Sequence, residues 1–182
     1  MRAYRTDDST LAYYERHAAE YAAATTQISM VTFGYRFAAL LPSHASVLDV
    51  GCGSGRDLRA LSTLGLTCTG LDLSPTLASC AAHYSGCSVI TGDMRALPFR
   101  DAAFMGVWAS ASLLHLPRVE INRGLAECDR VLARGGVFFS SMKSGQGEGY
   151  DEDGRWYSYV TPEEWTSFLC QAGFSLRENH SG

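Results

Sequence analysis

The sequence predicts an α/β fold: a doubly wound, mainly parallel sheet with helices on both of its faces. Short apolar runs of strand length alternate along the chain with segments in which apolar residues recur every three or four positions. The turns that join them are short, as in βαβ units with right-handed crossovers. The first strand, residues 46–50, leads directly into a turn with glycine at positions 51, 53 and 55. Such a strand, turn and helix form a nucleotide-type pocket at the carboxyl end of a parallel strand.

Two helices are predicted before the first strand. One covers residues 8–24, begins at candidate N-caps, and places Leu11, Tyr14 and Tyr21 on one face. The other covers residues 29–41 and stops before Pro42. We therefore expect one domain over residues 1–182, in which a helical segment precedes an α/β core at residues 46–178.

The strands of the core follow one another with a helix between most pairs. Ser74 and Pro75 mark the start of the helix after the second strand. Residues 161–164, Thr-Pro-Glu-Glu, form a capping box that starts the last helix. The predicted strands cover residues 46–50, 66–73, 88–91, 104–109, 137–142 and 174–178.

Residues 143–159 form a long polar, glycine-rich connection after the fifth strand. A loop of this length in a compact domain is usually functional or disordered. Aromatic residues at positions 150, 156, 157 and 159 argue against simple disorder. Because the loop leaves the carboxyl end of a strand, we expect it to border the ligand site.

Composition narrows the class of protein. Apolar residues make up 46% of the 182 residues and charged residues 19%, as in an ordinary globular domain. The net charge is −4 and the chain has no run of Lys or Arg, so a nucleic-acid partner is not expected. The sequence contains neither an apolar stretch of about 20 residues nor a signal-peptide pattern, which predicts a cytoplasmic protein with no membrane segment.

The six cysteines are scattered and lack the spacing of a metal site, so no metal is expected. We interpret them as reduced core residues. Cys52 lies within the glycine turn, where a space-filling thiol is favoured over a nucleophile.

The glycine turn departs from the dinucleotide fingerprint. In Gly-x-Gly-x-x-Gly the third glycine would fall at position 56, which is Arg, whereas here it comes one residue earlier. Asp49 lies two residues before the first glycine, at the tip of the strand. A carboxylate there would repel a pyrophosphate but would suit a ligand that carries an ammonium group and a sulfonium. The pattern Asp49-x-Gly51-x-Gly53-x-Gly55 resembles motif I of the class I S-adenosylmethionine-dependent methyltransferases.

This resemblance covers residues 46–178 and implies a Rossmann-like fold that binds S-adenosylmethionine and releases S-adenosylhomocysteine. Asp72, at the end of the second strand, would accept hydrogen bonds from the ribose hydroxyls. Asp93 would meet the adenine amino group. The family's seventh, antiparallel strand is missing here. The cofactor-binding residues that the resemblance implies are Asp49, Gly51, Cys52, Gly53, Gly55, Asp72, Leu73, Asp93, Met94 and Ala109.

The resemblance further implies that residues 1–45 fold over the cofactor as a lid and that a small molecule accepts the methyl group on an N, O or S atom. His115 and Tyr14 are the candidate general bases, and packing is the alternative role for His115. Lys143 and Arg155 are candidates to hold an anionic acceptor group, and pairing with residues 151–153 is the alternative. Four residues are predicted to bind the acceptor: Tyr13, Tyr21, Lys143 and Arg155.

Two other functions stay open. One is an NAD(P)-dependent oxidoreductase on a Rossmann sheet, which the early third glycine and Asp49 both disfavour. The other is a non-catalytic module that binds S-adenosylmethionine. The chain is expected to be a monomer or a homodimer.

Overall fold

A computed structural model describes residues 8–28 and 30–178. Its central sheet has five strands: β1 (Ser46–Val50), β2 (Thr67–Asp72), β3 (Ser88–Thr91), β4 (Phe104–Ser110) and β5 (Leu132–Ser141). All neighbours pair in parallel, in the order β3-β2-β1-β4-β5. The strand order reverses between β1 and β4, and open α/β sheets bind ligands beyond the carboxyl ends of the strands at such a point. The predicted doubly wound parallel sheet is confirmed.

Six helices accompany this sheet: α1 (Asp8–Thr25), α2 (Val31–Ala39), α3 (Arg56–Thr63), α4 (Pro75–Ser85), α5 (Arg118–Val131) and α6 (Pro162–Gln171). The helices from α2 to α4 pack their apolar residues on one core cluster, and α5 and α6 pack theirs on another. Neighbouring residues of β1 belong to different clusters: Val47 packs in the cluster of α2 to α4, and Leu48 packs in the cluster of α5 and α6. This alternation covers both faces of the sheet with helices, as expected for a parallel sheet.

The two predicted helix starts are present. The Ser74 hydroxyl accepts a hydrogen bond from the Leu77 backbone N–H at 3.0 Å and so caps α4. At α6, the Thr161 hydroxyl accepts from the Glu164 N–H at 3.2 Å, while the Glu164 carboxylate accepts from the Thr161 N–H at 2.9 Å. These reciprocal bonds are those of a capping box.

The prediction of a strand at residues 174–178 is wrong. These residues follow α6 without regular secondary structure. The Phe174 ring stacks on Phe138 of β5 with 4.5 Å between centroids, whereas Leu176 is 47% exposed. The apolar pattern therefore reflects one docked aromatic side chain and not a ladder of main-chain hydrogen bonds. Among the described residues, the central sheet has five strands.

The long loop after β5 contains a small antiparallel hairpin, made of β6 (Glu148–Tyr150) and β7 (Trp156–Ser158). Strand β5 also begins five residues before the predicted start, because its pairing with β4 passes through an irregularity between Phe104 and Gly106. The predicted beginning of the second helix at residue 29 lies outside the described residues. No helix in the described part of the chain is long and apolar enough to span a membrane.

All six cysteines are free thiols. Three are buried as predicted, namely Cys52, Cys68 and Cys128, but Cys170 is exposed on α6 and is not a core residue. Burial raises the pKa of the Cys52 thiol, which favours its space-filling role over nucleophilic chemistry. Within residues 8–28 and 30–178, no cluster of three His, Cys, Asp or Glu side chains could hold a metal ion.

Candidate cofactor and acceptor site

The turn after β1 requires its glycines for two reasons. Gly51, Gly53 and Gly55 have φ values of +71°, +53° and +80°, a region that other residues rarely adopt. Neighbouring atoms also leave little room for a side chain. A Cβ at Gly51 would lie 2.4 Å from the Ser112 Cβ, and one at Gly53 would lie 3.2 Å from the Tyr21 ring. The turn therefore presents main chain without side chains toward Ser112 and the Tyr21 ring.

Asp72 is the last residue of β2, and its carboxylate holds the glycine turn in place. One carboxylate oxygen accepts a hydrogen bond from the Gly53 N–H at 2.8 Å, and the other accepts from the Ser74 N–H at 2.9 Å. Burial raises the pKa of Asp72 although these bonds oppose the shift. Each oxygen of a carboxylate has a further lone pair, so Asp72 can still accept bonds from a ligand.

Asp49 lies on β1, beneath the turn, and is only 2% exposed. Its Oδ2 atom lacks a hydrogen-bond partner among the described residues. Burial, followed by the nearby Asp57 charge, raises the pKa of Asp49 well above its usual range. A buried carboxylate without a partner is costly unless a ligand supplies a cation or a donor.

Beside Asp49, the first turn of α3 carries a buried acid that the sequence analysis missed. Asp57 accepts a hydrogen bond from Arg56 at 2.6 Å and another from the indole N–H of Trp108 at 2.9 Å. The partial positive charge at a helix N-terminus stabilises an acidic side chain in the first turn. The position of Asp57 at the start of α3 was therefore the sequence signal that could have identified it. Asp57 is therefore partnered, whereas Asp49 Oδ2 has no partner within the part of the chain that the structure describes.

Two adjoining clefts lie above the carboxyl ends of the strands. The larger encloses about 680 Å³, counting space open to solvent, and the smaller about 300 Å³. Together these are large enough for a nucleoside-sized ligand. The larger cleft contains six predicted cofactor residues: Gly51, Gly53, Asp72, Leu73, Asp93 and Met94.

The smaller cleft brings Asp49 and Cys52 together with Arg56 and Asp57. The two clefts share Gly51, Gly53 and Tyr21. Two predicted cofactor residues lie beneath them. Ala109 is fully buried, and Gly55 is packed so closely on α4 that a Cβ would come within 2.8 Å of the Ala81 backbone.

Asp93 lines the larger cleft but is already paired. Its carboxylate receives hydrogen bonds from the Arg95 guanidinium, the shortest at 2.6 Å. Burial opposes ionisation, yet the bonds and charge of Arg95 lower the pKa of Asp93. Arg95 thus keeps Asp93 an ionised acceptor at the edge of the cleft.

Helix α1 lies over the clefts and is attached at three places. Near its start, the Thr10 hydroxyl accepts from the Trp156 N–H at 2.8 Å. In its middle, Glu15 accepts from the Thr76 hydroxyl at 2.6 Å and from the Ser74 hydroxyl at the start of α4. At its end, the Thr25 hydroxyl lies 2.9 Å from that of Ser54 in the glycine turn. The helix is therefore bonded to the hairpin, to α4 and to the turn.

His115 and Tyr14, the two candidate general bases, both line the larger cleft and contact each other. The Tyr14 hydroxyl lies 2.9 Å from His115 Nε2, and His115 Nδ1 lies 2.7 Å from the Trp156 carbonyl oxygen. A carbonyl only accepts, so Nδ1 carries the hydrogen and Nε2 accepts from Tyr14. Burial lowers the pKa of His115 to about 4 and raises that of Tyr14. Both groups are neutral at pH 7.

Three of the predicted acceptor residues lie outside both clefts. The Lys143 ammonium stands 3.6 Å from the centre of the Tyr157 ring. The Arg155 guanidinium stacks on Tyr13 at 4.6 Å and pairs with Asp151 at 2.7 Å. The alternative role given to Arg155, pairing within residues 151–153, therefore matches its contacts. Tyr21, the fourth, lines the clefts.

Other proteins are similar to this chain in sequence or in fold. The matched part of the chain is 35% identical over 107 residues to 24-methylenesterol C-methyltransferase 2 of Oryza sativa subsp. japonica, covering 54% of the chain and 29% of that protein. It is 34% identical over 103 residues to malonyl-[acyl-carrier protein] O-methyltransferase of Pseudescherichia vulneris, covering 56% and 40%. The chain thus spans well under half of these relatives.

Among solved structures, the fold is similar to that of 1,6-didemethyltoxoflavin-N1-methyltransferase of Burkholderia thailandensis, with bound 1,6-didemethyltoxoflavin and S-adenosylhomocysteine. The TM-score is 0.78 at 23% identity, over 92% of this chain and 77% of that one. At this identity the likeness shows the fold. The methyltransferase domain family matches residues 48–140, just over half of the chain. The chain therefore belongs to the methyltransferase domain family.

Proposed function

We propose that this chain is an S-adenosylmethionine-dependent methyltransferase that acts on a nucleophilic N, O or S atom of a small molecule. The observation that carries the proposal is Asp49, a buried carboxylate beside the glycine turn whose Oδ2 lacks a partner among the described residues. The ammonium group of a methionine moiety would supply the missing donor and positive charge. A diphosphate at the same place would face Asp49 and Asp72 and be repelled, which disfavours a nicotinamide cofactor.

The remaining residues of the clefts fit the other parts of S-adenosylmethionine. Asp72 has lone pairs left for the ribose hydroxyls, and Asp93 is an ionised acceptor for the adenine amino group. The Ser112 hydroxyl is buried beside Gly51 and, within the described part of the chain, makes no hydrogen bond. It is a further group that a ligand in the larger cleft would satisfy.

When bound, S-adenosylmethionine supplies a methyl group that the positive charge on sulfur already activates. The protein therefore mainly has to align the acceptor and exclude water. Helix α1 is well placed for both tasks, because it lines the larger cleft with Thr10, Leu11 and Tyr14 while bonded to the elements around it. We propose that residues 1–45 act as the lid of the core at residues 46–178.

The Tyr14–His115 pair can take up the acceptor's proton. The acceptor's proton would pass to the Tyr14 oxygen while the Tyr14 proton passes to His115 Nε2. The hydrogen bond from Nδ1 to the Trp156 carbonyl would then stabilise the imidazolium that forms. His115 is neutral near pH 7 and already accepts from Tyr14, so Nε2 is free of a proton and available to take one. Because burial lowers its pKa to about 4, His115 is a weak base in the ligand-free protein.

We propose a neutral acceptor, in place of the anionic group that the sequence favoured. Arg155 is paired with Asp151 and Asp153, and Lys143 rests on the Tyr157 ring. Leu11 and Leu116 line the same cleft as Tyr14 and His115, and none of these four side chains is charged near pH 7. The similar proteins are named as C-, O- and N-methyltransferases, so their names favour no single acceptor atom for this chain.

Calorimetric titration with S-adenosylmethionine, S-adenosylhomocysteine and NADH tests the proposal. We expect saturable binding of the first two and none of NADH. Asp72→Ala should weaken binding by about 1–3 kcal/mol, the usual cost of an unmade charged hydrogen bond. Asp129→Ala, at an exposed position on α5, is the matched control. Binding of NADH alone would support the oxidoreductase instead, and cofactor binding without turnover of any acceptor would indicate the non-catalytic module.

A further inference from the structure

Tyr21 occupies the junction of the two clefts. It projects from the lid helix and lines both of them, opposite Gly51 and Gly53. Its ring is so close to the turn that a Cβ at Gly53 would lie 3.2 Å from Cε1. The Tyr21 ring also contacts the Tyr14 ring edge to face, with 5.1 Å between ring centroids.

The two clefts differ in the half of S-adenosylmethionine that each can take. The larger contains Asp72 and Asp93, which suit the hydroxyls and amino group of adenosine, and the smaller contains Asp49, which suits an ammonium group. The sulfur atom joins these two halves covalently. A molecule that fills both clefts therefore passes its sulfur beside Gly51 and the Tyr21 ring, which line both clefts.

We propose that the Tyr21 ring contacts the sulfonium and makes the site prefer S-adenosylmethionine to S-adenosylhomocysteine, an inference that rests on the proposed function above. A cation within about 6 Å of an aromatic face is attracted to it, and the thioether of S-adenosylhomocysteine carries no charge. Burial, more than the neighbouring Asp72 charge, raises the pKa of Tyr21 to about 12, so the ring is a neutral phenol. The contact is thus cation–π and not an ion pair.

This contact has a consequence for turnover. Methyl transfer removes the charge from sulfur, so the interaction is lost at the moment the product forms. Tyr21 therefore holds S-adenosylmethionine by this attraction and does not hold S-adenosylhomocysteine by it. The edge-to-face contact between Tyr14 and Tyr21 also brings the Tyr14–His115 pair next to the position of the methyl group.

The test measures the dissociation constants of S-adenosylmethionine and S-adenosylhomocysteine by calorimetry, with the ratio of the two as the readout. Tyr21→Leu removes the ring and should reduce the preference for S-adenosylmethionine by roughly 2- to 30-fold, the range of a cation–π contact. Tyr21→Phe keeps the ring and should stay within about twofold of the unaltered chain. Tyr35→Leu, at a side chain that is 60% exposed on α2, should change neither constant.

A second variant separates the electrostatic attraction of the ring face from the packing of the ring. Trifluorophenylalanine at position 21 has nearly the volume of phenylalanine, but its fluorine atoms withdraw electrons from the ring face. It should weaken binding of S-adenosylmethionine relative to Tyr21→Phe and leave S-adenosylhomocysteine unchanged. Equal losses for both ligands in Tyr21→Leu, or equal affinities in the two phenylalanine variants, would overturn the assignment. If the unaltered chain binds neither ligand, the proposed function itself is overturned.

Discussion

Asp49→Asn should change ligand affinity and protein stability in opposite directions. The substitution removes the charge of a carboxylate that is 2% exposed and whose Oδ2 lacks a partner among the described residues. If that charge binds the ammonium group, the loss should cost about 1.5–3 kcal/mol, or roughly 10- to 150-fold in the dissociation constant. Calorimetry with S-adenosylmethionine measures this directly, and Asp129→Asn is the matched control.

The same substitution should stabilise the ligand-free chain. Removing the charge of a buried carboxylate that lacks a partner should be worth about 1–3 kcal/mol, and each kcal/mol shifts the melting temperature of a domain of this size by about 2–4 °C. Because the folded pKa of Asp49 is raised, its destabilising effect grows as pH rises above the unfolded value near 3.9 and continues until the folded pKa is passed. The increase in melting temperature caused by Asp49→Asn should therefore become smaller as the pH is lowered toward 4. A lower melting temperature together with unchanged affinity would refute the reasoning.

Three further substitutions test other parts of the site. Tyr14→Phe should lower kcat by about 10²- to 10⁴-fold if the hydroxyl relays the proton; in the unaltered chain, kcat/KM should fall only as pH drops through about 4, where His115 becomes protonated. Gly51→Ala should destabilise the fold by roughly 1–3 kcal/mol in urea denaturation, because its Cβ would lie 2.4 Å from that of Ser112. Glu15→Gln removes the charge from the lid's bonds to α4 and should speed S-adenosylmethionine release in stopped-flow measurements, whereas an unchanged rate would show that these bonds do not hold the lid.

Local sequence signals predicted the features that short stretches of chain determine. Ser74 and the segment beginning at Thr161 cap their helices because the donors they satisfy lie within three residues. The glycine turn was predictable for the same reason, since its backbone conformation depends on the residues that form it. Hence the doubly wound parallel sheet and the position of the glycine turn followed from the sequence.

Features that depend on distant contacts could not be predicted in the same way. Tyr14 and His115 were each identified, but they are 101 positions apart, and only the fold brings them within 2.9 Å. The Ser112 hydroxyl, which has no partner among residues 8–28 and 30–178, gave no sequence signal, because its surroundings depend on where the loop after β4 passes Gly51. The segment after α6 was wrongly predicted to be a strand. Phe174 is apolar because its ring packs on Phe138, and in the sequence such a residue looks the same as an inward-facing strand residue.

The hydrogen bond that selects the His115 tautomer is accepted by a main-chain carbonyl. Trp156 contributes this oxygen through its backbone, so the proton's position on the imidazole does not depend on which side chain occupies position 156. It depends instead on the length and path of the hairpin formed by β6 and β7. In relatives of this protein, substitutions at position 156 should therefore be tolerated, whereas insertions or deletions within the hairpin should not.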